Sequence, residues 1–227
     1  MTTLIVSDVH LGSSLSMARE LYHLLNTASF SRLILLGDIF SDLNFLRLTK
    51  EHWQVISLIR KLSNPKRGIE VVWVEGNHDA GITQVMEHLI GVNVYQRYEW
   101  EWKGKKCIAL HGHQFDGVYA SGVPWFNNLT ISVYLWLQKV GVLRRWLPRM
   151  LDRFHTHYQK LTVRVAAGAL YVARQEMADF IFCGHTHEPY HKIQDGMEYW
   201  NSGCWVNGKA TYLTLDNTVE LREFAVL

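Results

Sequence analysis

The chain has 227 residues, 48% of them hydrophobic, enough to bury a core as one domain, 1–227, with room for a sizeable insertion. Its formal net charge of +2 excludes the strongly basic balance of a general nucleic-acid binder, so no specific nucleic-acid partner is expected. Three cysteines without a CxxC pair exclude a disulfide framework and fit free thiols in a reducing compartment.

The amino terminus opens on a short apolar run, Leu4-Ile5-Val6, with no basic stretch before it. No signal peptide is expected, and the chain reads as cytoplasmic. The run ends in Asp8-Val9-His10, and a helical pattern follows over residues 15–28. A second apolar run, 33–36, ends in Gly37-Asp38, and a second helical pattern covers 49–62 until Ser63-Asn64-Pro65 closes it. A third run, 69–74, leads to Gly76-Asn77-His78-Asp79. Short strand patterns follow at 92–95, 98–102 and 107–110, the last ending in His111-Gly112-His113.

Residues 118–177 differ in character. They carry eight Lys/Arg against Asp152 and Glu176, a local net charge of +6 that leaves −4 for the remainder. Leu151, Phe154, Tyr158, Leu161, Val165 and Val172 recur at helical steps, with Arg153, His157, Lys160, Arg164 and Tyr171 on another face. An apolar helical pattern at 125–140 precedes it, and Pro148 separates the two. One reading is a helical insertion that packs on the domain with its charges solvated. The other is a cap with apolar walls and cations for phosphates. The longest apolar stretch, 129–143, is interrupted by Gln138-Lys139 and is too short to span a bilayer. Asn128-Leu129-Thr130 matches a glycosylation sequon that a chain without a secretion signal would not use. After the insertion, the run 180–183 ends in Gly184-His185-Thr186-His187. Strand patterns at 190–193, 198–200, 210–215 and 219–224 complete the chain, separated by turns such as Asp195-Gly196. Alternating strands and helices with this strand-rich tail point to an α/β fold, a two-sheet sandwich flanked by helices.

Five short turns at strand ends thus carry seven metal-type side chains: Asp8, His10, Asp38, Asn77, His111, His185 and His187. Neighbouring strands lie about 4.8 Å apart, so ligands at their ends converge. Imidazole and carboxylate donors without thiolate suit Mn²⁺, Fe²⁺ or Zn²⁺ in open sites rather than a structural zinc. Seven ligands are too many for one ion and suit two that share a carboxylate. Two such ions about 3.5–4 Å apart can activate water and clamp a phosphate ester. Gly203-Cys204-Trp205-Val206-Asn207-Gly208-Lys209 imitates a P-loop, but Ala210 stands where that loop needs Ser/Thr, and a strand pattern follows instead of a helix.

Taken in order, D-x-H, G-D, G-N-H-D, H-G-H and G-H-T-H resemble the calcineurin-like metallophosphoesterase superfamily, from Asp8 to His187. The resemblance implies a four-layer α/β/β/α fold and two divalent ions, with manganese the first choice and Fe²⁺ or Zn²⁺ as alternatives. It implies that Asp8, His10 and His187 hold one ion and that Asn77, His111 and His185 hold the other, with Asp38 bridging. His78 resembles the family's catalytic histidine, with Asp79 orienting its ring. His113 departs from the aspartate usual in the most similar relatives and is given no role.

Within the superfamily, Ser-Asp-Val-His-Leu-Gly, Gly-Asp-Ile-Phe, His-Gly-His-Gln-Phe-Asp, the basic-aromatic insertion and Cys-Gly-His-Thr-His-Glu-Pro resemble UDP-2,3-diacylglucosamine pyrophosphohydrolases, manganese enzymes of lipid A synthesis. That resemblance implies a lipid-linked nucleotide substrate, its phosphates met by Arg149, Arg153, Lys160 and Arg164. An apolar, basic cap is also compatible with peripheral contact at the inner face of the membrane. Two departures stand against it: His78 in place of arginine, and Trp205 in place of aspartate. The alternatives are a generic phosphodiesterase or phosphatase for nucleotides or other small phosphoesters, and a metal-binding scaffold without turnover. No protein partner is inferred.

Overall fold

The computed structural model describes residues 2–81, 83–116 and 147–225, and among these eleven strands form two sheets. The first contains β1 (Thr3–Val6), β2 (Arg32–Leu36), β3 (Glu70–Val74), β4 (Asn93–Tyr95), β10 (Thr211–Leu215) and β11 (Val219–Glu223) in the order β11-β10-β1-β2-β3-β4. The second contains β5 (Tyr98–Trp102), β6 (Lys105–Ala109), β7 (Phe180–Cys183), β8 (Tyr190–Gln194) and β9 (Met197–Asn201) in the order β5-β6-β7-β9-β8. β1 through β4 run parallel, as do β6, β7 and β9, and antiparallel strands close the edges.

The apolar runs of the sequence are strands covered on both faces. In β1 and β2, Leu4, Val6, Leu33 and Leu35 face α1 (Ala18–Thr27) and α2 (Lys50–Leu62), while Ile5, Ile34 and Leu36 face the other sheet. Trp100, Cys107, Ala109, Phe180 and Phe182 meet them from the second sheet. The far side of that sheet, with Ile108, Leu110, Ile181 and Tyr199, packs on α4 (Leu147–Gln175). The resulting layers are α/β/β/α, as expected.

Two local differences from the sequence reading have physical causes. The helix α3 (Thr83–Ile90) was not anticipated; it is two turns long, and the periodic signal of so short a helix is weak. α2 begins one residue later than expected because Thr49 caps it, its N–H donating to His52 Nδ1 at 3.1 Å. Part of the basic segment packs on the sandwich, as one of its two readings expects. Val165, Ala166, Ala169, Leu170 and Ala173 of α4 are buried against the second sheet, and the three alanines escape a search for large apolar residues. Pro148 occupies the first turn of this helix, where a missing N–H costs nothing. The helical pattern at 125–140 lies outside the described residues.

α4 comes close to the turn after β6 at Gly168, where an added Cβ would sit 2.6 Å from the Phe115 ring. Gly168→Ala should therefore cost about 1–3 kcal/mol through overpacking. The expected readout is a fall in thermal midpoint of roughly 3–8 °C; an unchanged midpoint would show that Phe115 moves aside freely.

Candidate metal centre

All five motif turns leave the carboxyl ends of parallel strands: β1, β2 and β3 in one sheet, β6 and β7 in the other. Backbone bonds lock the turns to one another. Asp8 donates to Gly37 O at 3.1 Å, His10 to Asp38 O at 3.0 Å, and Gly184 to His111 O at 3.0 Å. Five expected ligands have left-handed backbones: Asp8, His10, Asp38, His185 and His187, with φ between 50° and 69°. Only four other described non-glycine residues do. Each such residue costs on the order of 1 kcal/mol or more, a strain that clusters at functional sites.

Asp8 and Asp38 each divide their carboxylate between two tasks. Asp8 Oδ2 accepts the backbone N–H of His185 at 2.9 Å, and Asp38 Oδ1 accepts that of His78 at 2.8 Å. The second oxygens face the histidines: Asp8 Oδ1 lies 3.2 Å from His187 Nε2, and Asp38 Oδ2 lies 3.2 Å from His111 Nε2. His10 Nε2 is 3.1 Å from His187 Nε2. His111 reaches across from the second sheet and donates through Nδ1 to Leu36 O at 3.0 Å, which leaves its lone pair on Nε2. Glycine is required at positions 37 and 184, where a Cβ would overlap the His111 ring and the Asp8 carboxylate respectively.

Three groups of ligand atoms lie within 4.8 Å of one another: Asp8–His10–His187, His10–Asp38–His78, and Asp38–His111–His185. Asn77 stands on the same turn as His78 with its side-chain oxygen buried. Six of the seven expected ligands, all but Asn77, are therefore brought together, and Asp38 belongs to two of the groups. Asp8 Oδ1 and His111 Nε2 are buried without a regular hydrogen bond, each facing another ligand atom (His187 Nε2 and Asp38 Oδ2), an arrangement that would be costly without a cation or proton in each gap. The donor set and these paired acceptors fit divalent cations.

Charge among these groups follows the same geometry. Burial pushes the Asp8 and Asp38 carboxyls up, but the adjacent histidines outweigh it and hold both below the ordinary range, Asp38 the further. Burial opposes a charge on His111 too, yet Asp38 and Asp8 raise it to about 10. Burial also opposes the His187 imidazolium, and Asp8 raises that group in the same way. Burial and then His187 push His10 down to about 3. Burial, His111 and His185 together lower His113 to about 4, so it adds no cation at neutral pH.

His78 presents Nε2 to this cluster, 3.9 Å from Asp38 Oδ2, and its Nδ1 meets Ser41 O at 2.7 Å. The expectation that Asp79 orients this ring is corrected by the hydrogen bonds. The Asp79 carboxylate is buried on the other side of the turn, where it accepts from Ile39 N at 3.1 Å, Phe40 N at 2.9 Å and Trp73 Nε1 at 3.3 Å. Burial and the Asp38 charge raise its pKa to about 7. It braces the Gly37-Asp38 turn, and the ring of His78 is fixed by the Ser41 carbonyl instead. Lys160 and Arg164 are exposed on α4, a disposition shared by solvated and substrate-facing cations. The side chains of Arg149 and Arg153 lie outside the described residues. One residue that sequence reading missed is Asp116, nearly buried, with Oδ2 3.4 Å from His185 Nε2. No helix among the described residues is long and apolar enough to cross a membrane.

A family model described as calcineurin-like phosphoesterase matches residues 1–189. None of the curated proteins compared matches the chain. Solved structures match over nearly the whole length. They include Vps29 from Chaetomium thermophilum (TM-score 0.53, 9% identity, 98% of this chain and 88% of that one). They also include Yfce, a phosphoesterase from E. coli (0.51, 17%, 96% and 89%), and a novel archaeal phosphodiesterase (0.50, 16%, 98% and 99%). At these identities the likeness shows the fold.

Because three donors converge on Asp79, Asp79→Ala should cost the metal-free protein roughly 3 kcal/mol or more in urea denaturation. Asp79→Asn, which keeps one accepting oxygen, should cost about half as much. A loss below about 1 kcal/mol for the alanine variant would mean that water replaces the carboxylate.

Proposed function

The chain belongs to the calcineurin-like phosphoesterase family of metal-dependent phosphoester hydrolases, and on that premise we propose that it hydrolyses a phosphoester at the paired ligand groups around Asp38. Asp8, His10 and His187 would hold one divalent ion, and Asn77, His111 and His185 the other, with Asp38 shared between them. Bound there, two such ions supply an activated water and draw charge from the phosphoryl oxygens. The observation that carries the reading is the position of Asp38, within 4.8 Å of ligand atoms from both sheets.

The chain's own residues have separate tasks in this scheme. Asp38 is held rigid by the His78 N–H, so the oxygen it shares is fixed in place before any substrate arrives. His78 Nδ1 is engaged by Ser41 O, and that leaves Nε2 to face the reacting group. There it would stabilise the phosphoryl oxygens or give a proton to the departing one, a contribution of about 10²–10⁴ in rate. Asp79 acts indirectly by holding the turn that carries Asp38.

The finer proposal is that the substrate is a lipid-linked sugar nucleotide, UDP-2,3-diacylglucosamine, cleaved at its pyrophosphate. It is supported by the motif combination and by the basic charge confined to residues 118–177, where Arg149, Arg153, Lys160 and Arg164 would meet phosphates and apolar neighbours the acyl chains. The alternative, a generic phosphodiesterase or phosphatase, is favoured by His78, whose ring faces the cluster where the lipid A enzymes carry arginine. Trp205, the other departure, is fully buried in the core under α1, and its backbone N–H donates to Asp8 O at 3.1 Å. It shapes the first motif from behind.

Two measurements test these readings. Chelator-treated protein should regain hydrolysis of bis(p-nitrophenyl) phosphate on adding Mn²⁺, and His111→Ala should lower that rate by about 10³ or more while the chain stays folded. Undiminished turnover in the variant would remove His111 from the centre. Release of UMP from UDP-2,3-diacylglucosamine, abolished by replacing Arg149, Arg153, Lys160 and Arg164 with alanine while the chromogenic rate persists, is expected of the lipid-linked substrate. Equal rates on the chromogenic ester in both proteins with no UMP from either would favour the generic reading.

A further inference from the structure

Asp116 closes the single turn of 3₁₀ helix His113–Phe115, its N–H bonding to His113 O at 3.0 Å. Its side chain is 7% exposed, and Oδ2 lies 3.4 Å from Nε2 of His185, 69 residues away in the chain. Asp116 is not part of the three mutually close groups found among the described residues, whose carboxylates are those of Asp8 and Asp38. It approaches the His185 ring from outside the cluster. Asp38 and His111 approach from within, and the His111 and His185 ring centroids are 5.2 Å apart. A neutral imidazole has one N–H and one lone pair. A proton on Nε2 shared with a carboxylate puts the lone pair on Nδ1 and makes that nitrogen a better donor.

The position of Asp116 is set by the outer helix. Phe115, one residue before it, lies in the notch of α4 at Gly168, and a Cβ on Gly112 would come within 3.1 Å of Val165 Cγ1. α4 therefore holds both ends of the turn that presents the carboxylate. A carboxyl group this deeply buried requires hydrogen-bond partners, and His185 is one of them.

We infer that Asp116 is a positioning residue for the metal centre: it accepts the Nε2 proton of His185 and turns the ring so that Nδ1 is offered to the ion shared with Asn77 and His111. The inference rests on the two-ion reading of the site. A carboxylate that served only to stabilise the turn would change the melting of the protein and leave its metal affinity alone.

The test is calorimetric titration of chelator-treated full-length protein with Mn²⁺, accompanied by electron paramagnetic resonance at two equivalents. Wild type should bind two ions and give a spin-coupled signal. Asp116→Ala should bind one of the two about 10–100-fold more weakly and show the six-line signal of isolated Mn²⁺. Asp116→Asn, of the same shape and still able to accept through one oxygen, should fall between the two and melt like wild type. Wild-type affinity for both ions in the two variants would overturn the inference, whatever their melting temperatures. Should the alanine variant fail to fold, the asparagine variant decides by the same criterion. A wild type that binds no Mn²⁺ would defeat the two-ion reading itself, a result distinct from either.

Discussion

Two buried carboxylates tie this molecule together at one end. Asp8 stands at the tip of the first sheet and accepts a backbone N–H from His185 at the tip of the second. Asp38 performs the same task within the first sheet, between the β2 and β3 turns. Each bond is charge-assisted and shielded from water, the setting in which such bonds are strongest. Because one oxygen of each group is committed to the backbone, the direction of the other is decided by the fold. The ligand cluster is thus a by-product of how the sheets are joined, and His111, reaching across to Leu36 O, completes the junction from the other side.

Much of this was legible in the chain because the strands that matter are buried on both faces. β1, β2, β3, β6 and β7 read as continuous apolar runs, and each ends where glycine and metal-type residues begin. What remained hidden depended on contacts between distant segments. Asp79 looked like the partner of its neighbour His78, yet its carboxylate turns towards Trp73 and the β2 turn. Asp116 ends the quoted motif His-Gly-His-Gln-Phe-Asp, but nothing local points to His185, which lies beyond the whole basic segment. The buried face of α4 is built from alanines, which hydrophobic periodicity undervalues even though small residues let a helix approach a sheet closely.

The residues that depart from the lipid A hydrolase pattern are placed differently from one another. Trp205 is core, packed near Tyr212 and Phe224 behind the first motif. His78 is at the cluster itself, within 5.1 Å of the His10 ring. His113 lies beside His111 and His185 as a neutral ring. A change of residue at the first position alters support, whereas changes at the other two alter the surroundings of the ligand cluster. The three positions therefore differ in kind, one lying behind the first motif and two beside the ligand cluster.

The left-handed backbones of Asp8, His10, Asp38, His185 and His187 carry one more implication. Glycine at any of those positions would relax the main chain and delete a donor in the same stroke. Random drift towards sturdier variants would then run downhill into inactivity, so selection for thermal robustness alone should erode the centre, and directed evolution of this scaffold must screen for turnover in every round.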